Sequence, residues 1–340
     1  MARRRIYAAA VVALCWATAA PLALLRSELL RFSAPALAAE RPPRRRKTLK
    51  YGTLPDQLGD VWAPEAPTGL VVLVHGGFWL PQYGKDLMTK LASDLMARNW
   101  AAWNVEYRRV DGPGWRNANS TLEDITAALR FLDSPEFPFK GLPVAVVGHS
   151  AGGHLALWSQ LRPIRVTDCR AVVSVGGVLD LCDADEEALG GGAGAVARFL
   201  GYRDVSSLKR DVSPIDMLPP CLVNSLPPEL ARRGTVPEPR IGLVHGKLDQ
   251  VVPSQQSVRF LVSATCAGIP CQLHLVDEGH YEVLDPGSSS WKSVVSIVQE
   301  AFNEPVRPVR RAVLQTHREE RGGTLIFRSA PSAERLQVSA

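Results

Sequence analysis

Short apolar runs alternate with amphipathic segments along most of the chain. Leu87, Leu91 and Leu95 recur at helical spacing, which predicts a helix over about 84–98. The runs that predict strands are 70–74, 103–107, 143–147, 171–175, 241–244 and 272–276. Because strands separated by helical segments form βαβ units, this pattern predicts an α/β fold with a mainly parallel central sheet and helices on both of its faces.

Local signals predict two further helices. Ser120 and Glu123 have the spacing of a capping box, which predicts that a helix begins at Ser120. The apolar face of that helix consists of Leu122, Ile125, Leu129 and Leu132. An amphipathic segment over about 289–302 predicts the closing helix of the domain.

The alternation breaks down between Val178 and Arg240. A run of three glycines at 190–192 and several prolines predict an irregular insertion over 178–240, with short helices that can cover the site as a cap. We expect the domain to begin near Leu49 and to cover 49–303. The tail over 304–340 is rich in arginine and has no hydrophobic period, which predicts disorder.

The N-terminal 48 residues have the pattern of a targeting or anchor segment followed by a basic linker. Arginines at 3–5 precede an apolar run over 6–25, and Ala36-Leu37-Ala38 resembles a signal-peptidase site. Twenty apolar residues also suffice to span a bilayer, so an uncleaved membrane anchor through 6–25 competes with a cleaved signal. The second half of an organelle presequence is a third interpretation. We therefore expect an exported, organellar or membrane-anchored protein.

Net charge argues against a nucleic-acid partner. The whole chain carries a formal charge of +5, but residues 1–50 contribute +9 and residues 303–340 contribute +3. The remaining segment, 51–302, carries −7. Since the basic residues lie in the termini and the predicted globular part is acidic, we expect no nucleic-acid-binding face on the domain.

The candidate chemistry centres on Gly148-His149-Ser150-Ala151-Gly152, which directly follows the strand predicted at 143–147. A serine on a sharp strand-to-helix turn is held in a strained, exposed conformation, and glycines on either side remove Cβ atoms that would clash across the bend. This context predicts Ser150 as a nucleophile.

A serine nucleophile needs a base, and the base needs an acid that orients it. Asp249 follows the strand predicted at 241–244, and His280 follows the strand at 272–276. Because parallel strands end at one edge of their sheet, we expect both side chains to meet Ser150 there. Asp180, after the strand at 171–175, is the runner-up acid.

A glycine-rich loop supplies candidate donors for an oxyanion. His75-Gly76-Gly77-Phe78-Trp79 follows the strand at 70–74, where backbone amides can face the serine. We expect the amides of Gly77, Phe78 and Ala151 to bind the developing charge.

Other polar residues are weaker candidates for a catalytic or metal-binding role. His245 and His274 lie at a strand end and inside a strand, where packing or hydrogen bonding is the expected role. His149 and His154 are five residues apart, which does not place them on one helical face for a metal. No Cys-x-x-Cys pair is present. We expect that the protein uses no metal and no cofactor.

Together, the His-Gly-Gly-Phe-Trp segment, the serine motif, Asp249 and His280 resemble the α/β-hydrolase superfamily over about residues 50–302. The likeness is greatest to the esterase group that includes hormone-sensitive-lipase-like proteins, feruloyl-esterase-like proteins and kynurenine formamidases. The segment at 75–79 is close to the kynurenine-formamidase form, whereas lipase-like members more often carry a third glycine at Phe78. The resemblance implies the α/β-hydrolase fold and acyl transfer through Ser150.

The aromatic residues favour a small, neutral substrate. Phe78 and Trp79 adjoin the predicted oxyanion loop, and we expect four other aromatic residues at the same edge: Trp103, Tyr107, Trp115 and Tyr281. Such surface suits planar or apolar groups. We therefore expect hydrolysis of small carboxylic esters first and of aryl formamides second. A non-catalytic binding protein with a hydrolase fold is the alternative from another class.

Overall fold

A computed structural model describes residues 46–110, 118–162, 168–189, 194–201, 211–219 and 239–304 of the chain. Within these ranges eight strands form one sheet, in the order β1-β2-β4-β3-β5-β6-β7-β8. The strands are β1 Arg46–Lys50, β2 Leu58–Trp62, β3 Leu70–Val74, β4 Ala101–Val105, β5 Val144–His149, β6 Cys169–Val175, β7 Arg240–Gly246 and β8 Cys271–Val276. The predicted mainly parallel sheet is confirmed, because only the pairs β1–β2 and β2–β4 are antiparallel.

The strands that carry the site are buried on both faces. Every residue of β3, β4 and β5 is buried, as expected for parallel strands covered by helices on each side. In the parallel register Val74 pairs with Gly148, and Gly148 pairs with Ser174. The carboxyl ends of β3, β5 and β6 therefore lie side by side at one edge of the sheet, where their following loops meet.

Seven α-helices in the described residues connect and cover these strands: α1 Thr89–Ala97, α2 Ala118–Phe131, α3 Ala151–Leu161, α4 Leu181–Glu186, α5 Ala195–Leu200, α6 Gln255–Cys266 and α7 Ser289–Asn303. Helix α3 packs against β5 and β6, and α7 packs against β6 and β7. The apolar stripe of α7 includes Trp291, Val294 and Ile297, all buried. Burial of this stripe accounts for the periodicity that predicted the closing helix.

The sheet extends further towards the N-terminus than predicted. Strand β1 begins at Arg46, so the predicted domain start near Leu49 falls inside a strand. The partner strand β2 contains buried Asp60, whose carboxylate accepts hydrogen bonds from Arg46 Nη2 at 2.7 Å and Thr48 Oγ1 at 2.6 Å. Lys85 Nζ lies 2.8 Å from the same carboxylate. A strand that buries a charge lacks the simple apolar pattern that predicts strands.

Two boundaries in the middle of the chain also differ from prediction. Helix α2 includes Ala118 and Asn119, so the prediction that Ser120 caps this helix is wrong. Strand β4 ends at Val105 and not at Tyr107. Tyr107 lies beyond the strand because its buried ring stacks on His75, which supports the loop after β3.

The insertion predicted at 178–240 contains short helices where the structure describes it. These are α4, α5 and a 3₁₀ helix over Pro214–Met217. It is tied to the serine helix α3, since His154 Nε2 donates to the carbonyl of Val212 at 2.9 Å and Trp158 Nε1 donates to that of Asp211 at 2.9 Å. The glycine run at 190–192 lies outside the described residues, and a cap over the site stays a prediction.

The predicted targeting run over 6–25 and the tail beyond Glu304 also lie outside the described residues. Among the residues that are described, no helix combines the length and the apolar character needed to cross a bilayer. Export, an organellar location and a membrane anchor stay predictions.

The position of β1 gives a testable limit for N-terminal truncation. A chain that lacks residues 1–44 should keep its thermal midpoint. A chain that lacks 1–48 should melt several degrees lower, because buried Asp60 loses the charge of Arg46 and the hydrogen bond from Thr48. Calorimetry of the two chains measures the difference. Restoration of the midpoint by Asp60→Asn in the shorter chain would assign the loss to the buried charge, and equal midpoints would contradict this explanation.

Candidate active site

Ser150 lies on a strained turn between β5 and α3. Its backbone has φ 56° and ψ −121°, a conformation that a residue with a side chain rarely adopts. Its amide donates to the carbonyl of Val175 at 2.8 Å, which ties the turn to β6. A Cβ atom at Gly148 would overlap the carbonyl of Gly152, so the sharp bend requires the glycine predicted there.

His280 and Asp249 form a directly hydrogen-bonded pair. His280 Nδ1 lies 2.7 Å from Asp249 Oδ2. The other carboxylate oxygen accepts hydrogen bonds from the amides of Val251 at 2.9 Å and Val252 at 2.8 Å, which fix the orientation of the carboxylate. Since a carboxylate only accepts, Nδ1 carries the proton and neutral His280 has its lone pair on Nε2. This tautomer is the one that a general base needs.

Asp249 is ionised in this setting. Burial raises the pKa of its carboxyl, but the positive charge of His280 in its protonated form and the hydrogen bonds from His245 and His280 outweigh burial and hold the pKa well below its usual range. His245 lies behind the pair, where its Nδ1 contacts Ser257 Oγ at 2.7 Å and its Nε2 contacts the Val252 carbonyl at 2.8 Å. The hydrogen-bonding role expected for His245 agrees with these contacts.

Ser150 and His280 line the same small cavity at the carboxyl edge of the sheet. Ser150 is 2% exposed and His280 7% exposed, so both are nearly closed off from bulk water. The cavity has a volume of about 20 Å³. Its lining is Gly77, Phe78, Tyr83, Leu87, His149, Ser150, Val251, His280, Tyr281 and Leu284. Apart from its two histidines, the lining contains no ionisable group except tyrosine hydroxyls.

The predicted oxyanion loop reaches this cavity in an unusual backbone conformation. Gly77, Phe78 and Trp79 have φ values of 108°, 48° and 58°. Phe78 and Trp79 are strained there, because left-handed backbone costs a residue with a side chain about 1–2 kcal/mol. In the described part of the chain, the amides of Gly77, Phe78 and Ala151 donate to no backbone carbonyl. These amides are the groups predicted to bind an oxyanion.

The loop approaches the serine closely. A Cβ atom at Gly76 would lie 2.9 Å from the Cβ of Ser150, closer than such atoms pack. Ala151 is the first residue of α3, so its amide is one of the unpaired donors at a helix N-terminus. The loop after β3 and the N-terminus of α3 thus present backbone N–H donors beside Ser150.

His149 links the serine turn to the loop that carries His280. Its Nε2 donates to the carbonyl of His280 at 2.9 Å, and the two rings are 4.7 Å apart. Burial and the nearby charge of His280 lower the pKa of His149 to about 3, so this imidazole is neutral. Sequence reasoning considered His149 only as a metal ligand and missed this contact.

Not all of the aromatic residues predicted at the substrate edge lie there. Phe78 and Tyr281 line the cavity, as expected. Trp79 is fully buried and stacks on Phe199 of α5 at 4.2 Å, and Trp103 packs against α2 through Phe131. The prediction that Trp103 lies at the substrate edge is wrong, because its strand is buried on both faces. Trp115 lies outside the described residues.

Asp180, the runner-up acid, has a structural contact instead. Its carboxylate accepts from the amides of Cys182 and Asp183 and caps α4. Candidate ligand atoms of Asp180, Cys182 and Asp216 lie within 4.8 Å of one another. The cap already uses a carboxylate oxygen of Asp180, and short helices with acidic first turns often bring such groups together.

The order of the candidate serine, aspartate and histidine along the chain is the order found in α/β-hydrolases. The serine follows β5, the aspartate follows β7 and the histidine follows β8, on a sheet whose parallel strands end at a common edge. The described residues have the α/β-hydrolase fold. The BD-FAE family model matches residues 60–216, which include the predicted oxyanion loop and Ser150.

Comparisons with individual proteins agree with this class. The chain is similar to Esterase LipC of Mycobacterium tuberculosis, with 28% identity over 275 residues that cover 74% of this chain. The match spans only 63% of that protein. Among solved structures, a truncated carbohydrate esterase from gut microbiota aligns with a TM-score of 0.61 and 18% identity, over 78% of this chain and 99% of the other.

Esterase B from Lactobacillus rhamnosis aligns with a TM-score of 0.60 and 20% identity. The alignment covers 84% of this chain and 95% of that protein. At such identities the structural likeness establishes the fold.

Proposed function

We propose that the protein is a serine esterase that hydrolyses small, neutral carboxylic esters through an acyl-enzyme on Ser150. The observation that carries this proposal is the 2.7 Å hydrogen bond between Asp249 and His280, in a cavity that Ser150 also lines. This bond orients His280 with its Nε2 lone pair available, and the strained turn presents the serine. A positioned base and a serine hydroxyl that faces the same cavity are the requirements for acyl transfer.

Each step of the reaction has an assigned group. Ser150 Oγ bonds to the ester carbonyl carbon while its proton passes to His280 Nε2. The carbonyl electron pair moves onto oxygen, and the amides of Gly77, Phe78 and Ala151 stabilise that charge. Collapse breaks the ester C–O bond, and the alcohol leaves with the proton from His280. Water, deprotonated by His280, then attacks the acyl-enzyme, and the acid leaves as Ser150 regains its proton.

The cavity supports a small, uncharged acyl group. Its 20 Å³ is close to the space that one water molecule needs, so a long chain would have to displace surrounding side chains. Phe78, Leu87, Val251 and Leu284 supply most of its apolar wall. In the described residues the lining offers no arginine or lysine to hold a carboxylate or phosphate on the substrate.

The relatives support ester chemistry in particular. Esterase LipC is similar over 74% of this chain, and the BD-FAE model spans both the predicted oxyanion loop and the serine. The alternative of aryl formamide hydrolysis is favoured by one observation, the His-Gly-Gly-Phe-Trp form of residues 75–79. A formyl group also fits the narrow cavity.

A panel of substrates tests the proposal. We expect hydrolysis of p-nitrophenyl acetate and butyrate, and kcat/KM at least about tenfold lower for the decanoate and longer esters, because the cavity wall excludes long chains. Initial rates are measured for each ester of the series and for N-formylkynurenine, and the substrates are compared by kcat/KM. Leu284→Ala, which shortens one apolar wall residue, should shift the preference towards longer acyl groups.

Two outcomes would change the assignment. Fast N-formylkynurenine turnover with negligible ester hydrolysis would make the protein an aryl formamidase and leave the roles of Ser150, Asp249 and His280 intact. Inactivity on both substrate classes, combined with no labelling by a fluorophosphonate, would place the chain among non-catalytic hydrolase-fold proteins.

A further inference from the structure

Both ring nitrogens of His75 face atoms that only accept hydrogen bonds. Nδ1 lies 2.8 Å from the carbonyl oxygen of Gly76, and Nε2 lies 3.0 Å from Glu106 Oε1. The ring is fully buried, so water does not intervene. A neutral imidazole has one N–H and one lone pair, and here the lone pair would point at an oxygen. Only the doubly protonated ring satisfies both contacts.

The groups around Glu106 stabilise its ionised form. Its Oε1 accepts from the Tyr107 amide at 3.0 Å and from Arg109 Nη1 at 2.8 Å, besides His75. Its Oε2 accepts from the amide of Lys85 at 3.0 Å. Burial raises the carboxyl pKa, but the hydrogen bond and charge of His75 and the charge of Arg109 lower it to about 2. The carboxylate therefore has no proton to give to His75.

We propose that Glu106 holds His75 as an imidazolium that polarises the peptide bond between Gly76 and Gly77 and so strengthens an oxyanion donor. The carbonyl that accepts from His75 Nδ1 and the amide of Gly77 belong to the same peptide group. A hydrogen bond to the oxygen draws electron density from the nitrogen and makes its N–H a better donor. The inference rests on the proposed function, in which the Gly77 amide binds the oxyanion.

The surrounding charges are compatible with a buried cation at His75. Arg109, which shares Glu106, also pairs with Asp56 at 3.5 Å. Lys85 Nζ pairs with Asp60. The ring of Tyr107 stacks on His75 at 4.2 Å and 11°, a face-on contact that favours a cation. The other titratable group at this loop, His149, is neutral and adds no repulsion.

The arrangement acts mainly in the transition state. The carbonyl oxygen of an ester carries little charge before attack and nearly a full negative charge in the tetrahedral intermediate. A more polarised Gly77 amide therefore stabilises the tetrahedral intermediate more than it stabilises the bound ester. His75 and Glu106 are thus positioning residues, which never touch the substrate and are expected to affect kcat more than KM.

The first test measures the protonation of His75 directly. NMR of the ring nitrogens at pH 8, with the signal assigned through a His75→Asn variant, should show protons on both nitrogens of His75 in the wild-type protein. A single protonated nitrogen would overturn the proposal. This measurement needs neither turnover nor a variant of Glu106, so it remains decisive if Glu106 variants fail to fold.

The second test removes the anion. Glu106→Gln should lower kcat for p-nitrophenyl acetate about tenfold with KM nearly unchanged, because the donor is weakened and not deleted. The dependence of kcat on pH should also change, since the cation loses its counter-charge. Glu106→Asp, which keeps the charge, should recover part of kcat. Wild-type kcat and pH profile in Glu106→Gln would contradict the proposal.

Glu123→Gln is the matched control. Glu123 is an exposed carboxylate that pairs with Arg108 at 3.4 Å. Its replacement should leave both kcat and the pH profile unchanged. Failure of the proposed function is distinguishable from failure of this inference. Suppose that His75 is doubly protonated but the protein neither hydrolyses esters nor reacts with a fluorophosphonate. The positive charge on His75 would then be correct, and only its role in catalysis would be wrong.

Discussion

Ser150→Ala should lower kcat for p-nitrophenyl acetate by roughly 10⁶-fold, the loss typical of a serine nucleophile that works as a unit with its base. The expectation follows from the strained turn that presents the side chain and from its place beside His280 in one closed cavity. Residual catalysis by the oxyanion donors would remain. Steady-state kinetics and loss of fluorophosphonate labelling measure the effect.

Three variants make this result specific. His280→Ala should lower kcat by a similar factor, and the double variant should lose little more, because neither residue functions without the other. Ser159→Ala removes another buried hydroxyl of the same helix, one that donates only to the carbonyl of Ala156, and it should keep wild-type turnover. Near-normal turnover in Ser150→Ala would show that the nucleophile lies elsewhere.

Asp249→Asn should have the second largest effect, a loss of about 10⁴-fold in kcat, smaller than that of Ser150→Ala. The amides of Val251 and Val252 would hold the amide oxygen of the new side chain. Its NH₂ group would then face His280 Nδ1, which would have to accept. The proton of neutral His280 would move to Nε2, and the base would lose the lone pair that receives the proton of Ser150.

Asp180→Asn is the natural control for this prediction. Asp180 is the other acidic residue that the sequence offers, and its carboxylate caps α4 through two backbone amides. Asparagine caps helices about as well as aspartate, so stability and turnover should both be retained. A large loss in Asp180→Asn together with normal turnover in Asp249→Asn would exchange the two assignments.

Most of the parallel part of the sheet was predictable because its central strands are buried on both faces. Burial makes β3, β5, β6 and β7 nearly continuous apolar runs, and such runs are visible in a sequence without knowledge of their neighbours. The antiparallel strands β1 and β2 were missed for the opposite reason. β1 is exposed and basic, and β2 contains a buried aspartate, so each has a pattern that depends on the other.

Local signals were less dependable where tertiary contacts compete with them. Ser120 and Glu123 have the capping-box spacing, yet α2 includes residues before Ser120. Arg108 explains this difference. Its guanidinium donates to the Ser120 carbonyl at 3.1 Å and to buried Asp124 at 2.7 Å, which fixes the first turns of α2 from outside the helix.

The sequence by itself determined the fold class, the serine turn and the candidate partners after two strands, because these depend on short-range backbone geometry and on the common edge of a parallel sheet. Only the tertiary structure decided which acid pairs with His280, since Asp249 and Asp180 both follow strands and differ in the contacts they make. The pairing of His75 with Glu106 was likewise invisible, because 31 positions separate them and only the tertiary structure shows that the strands before them are neighbours.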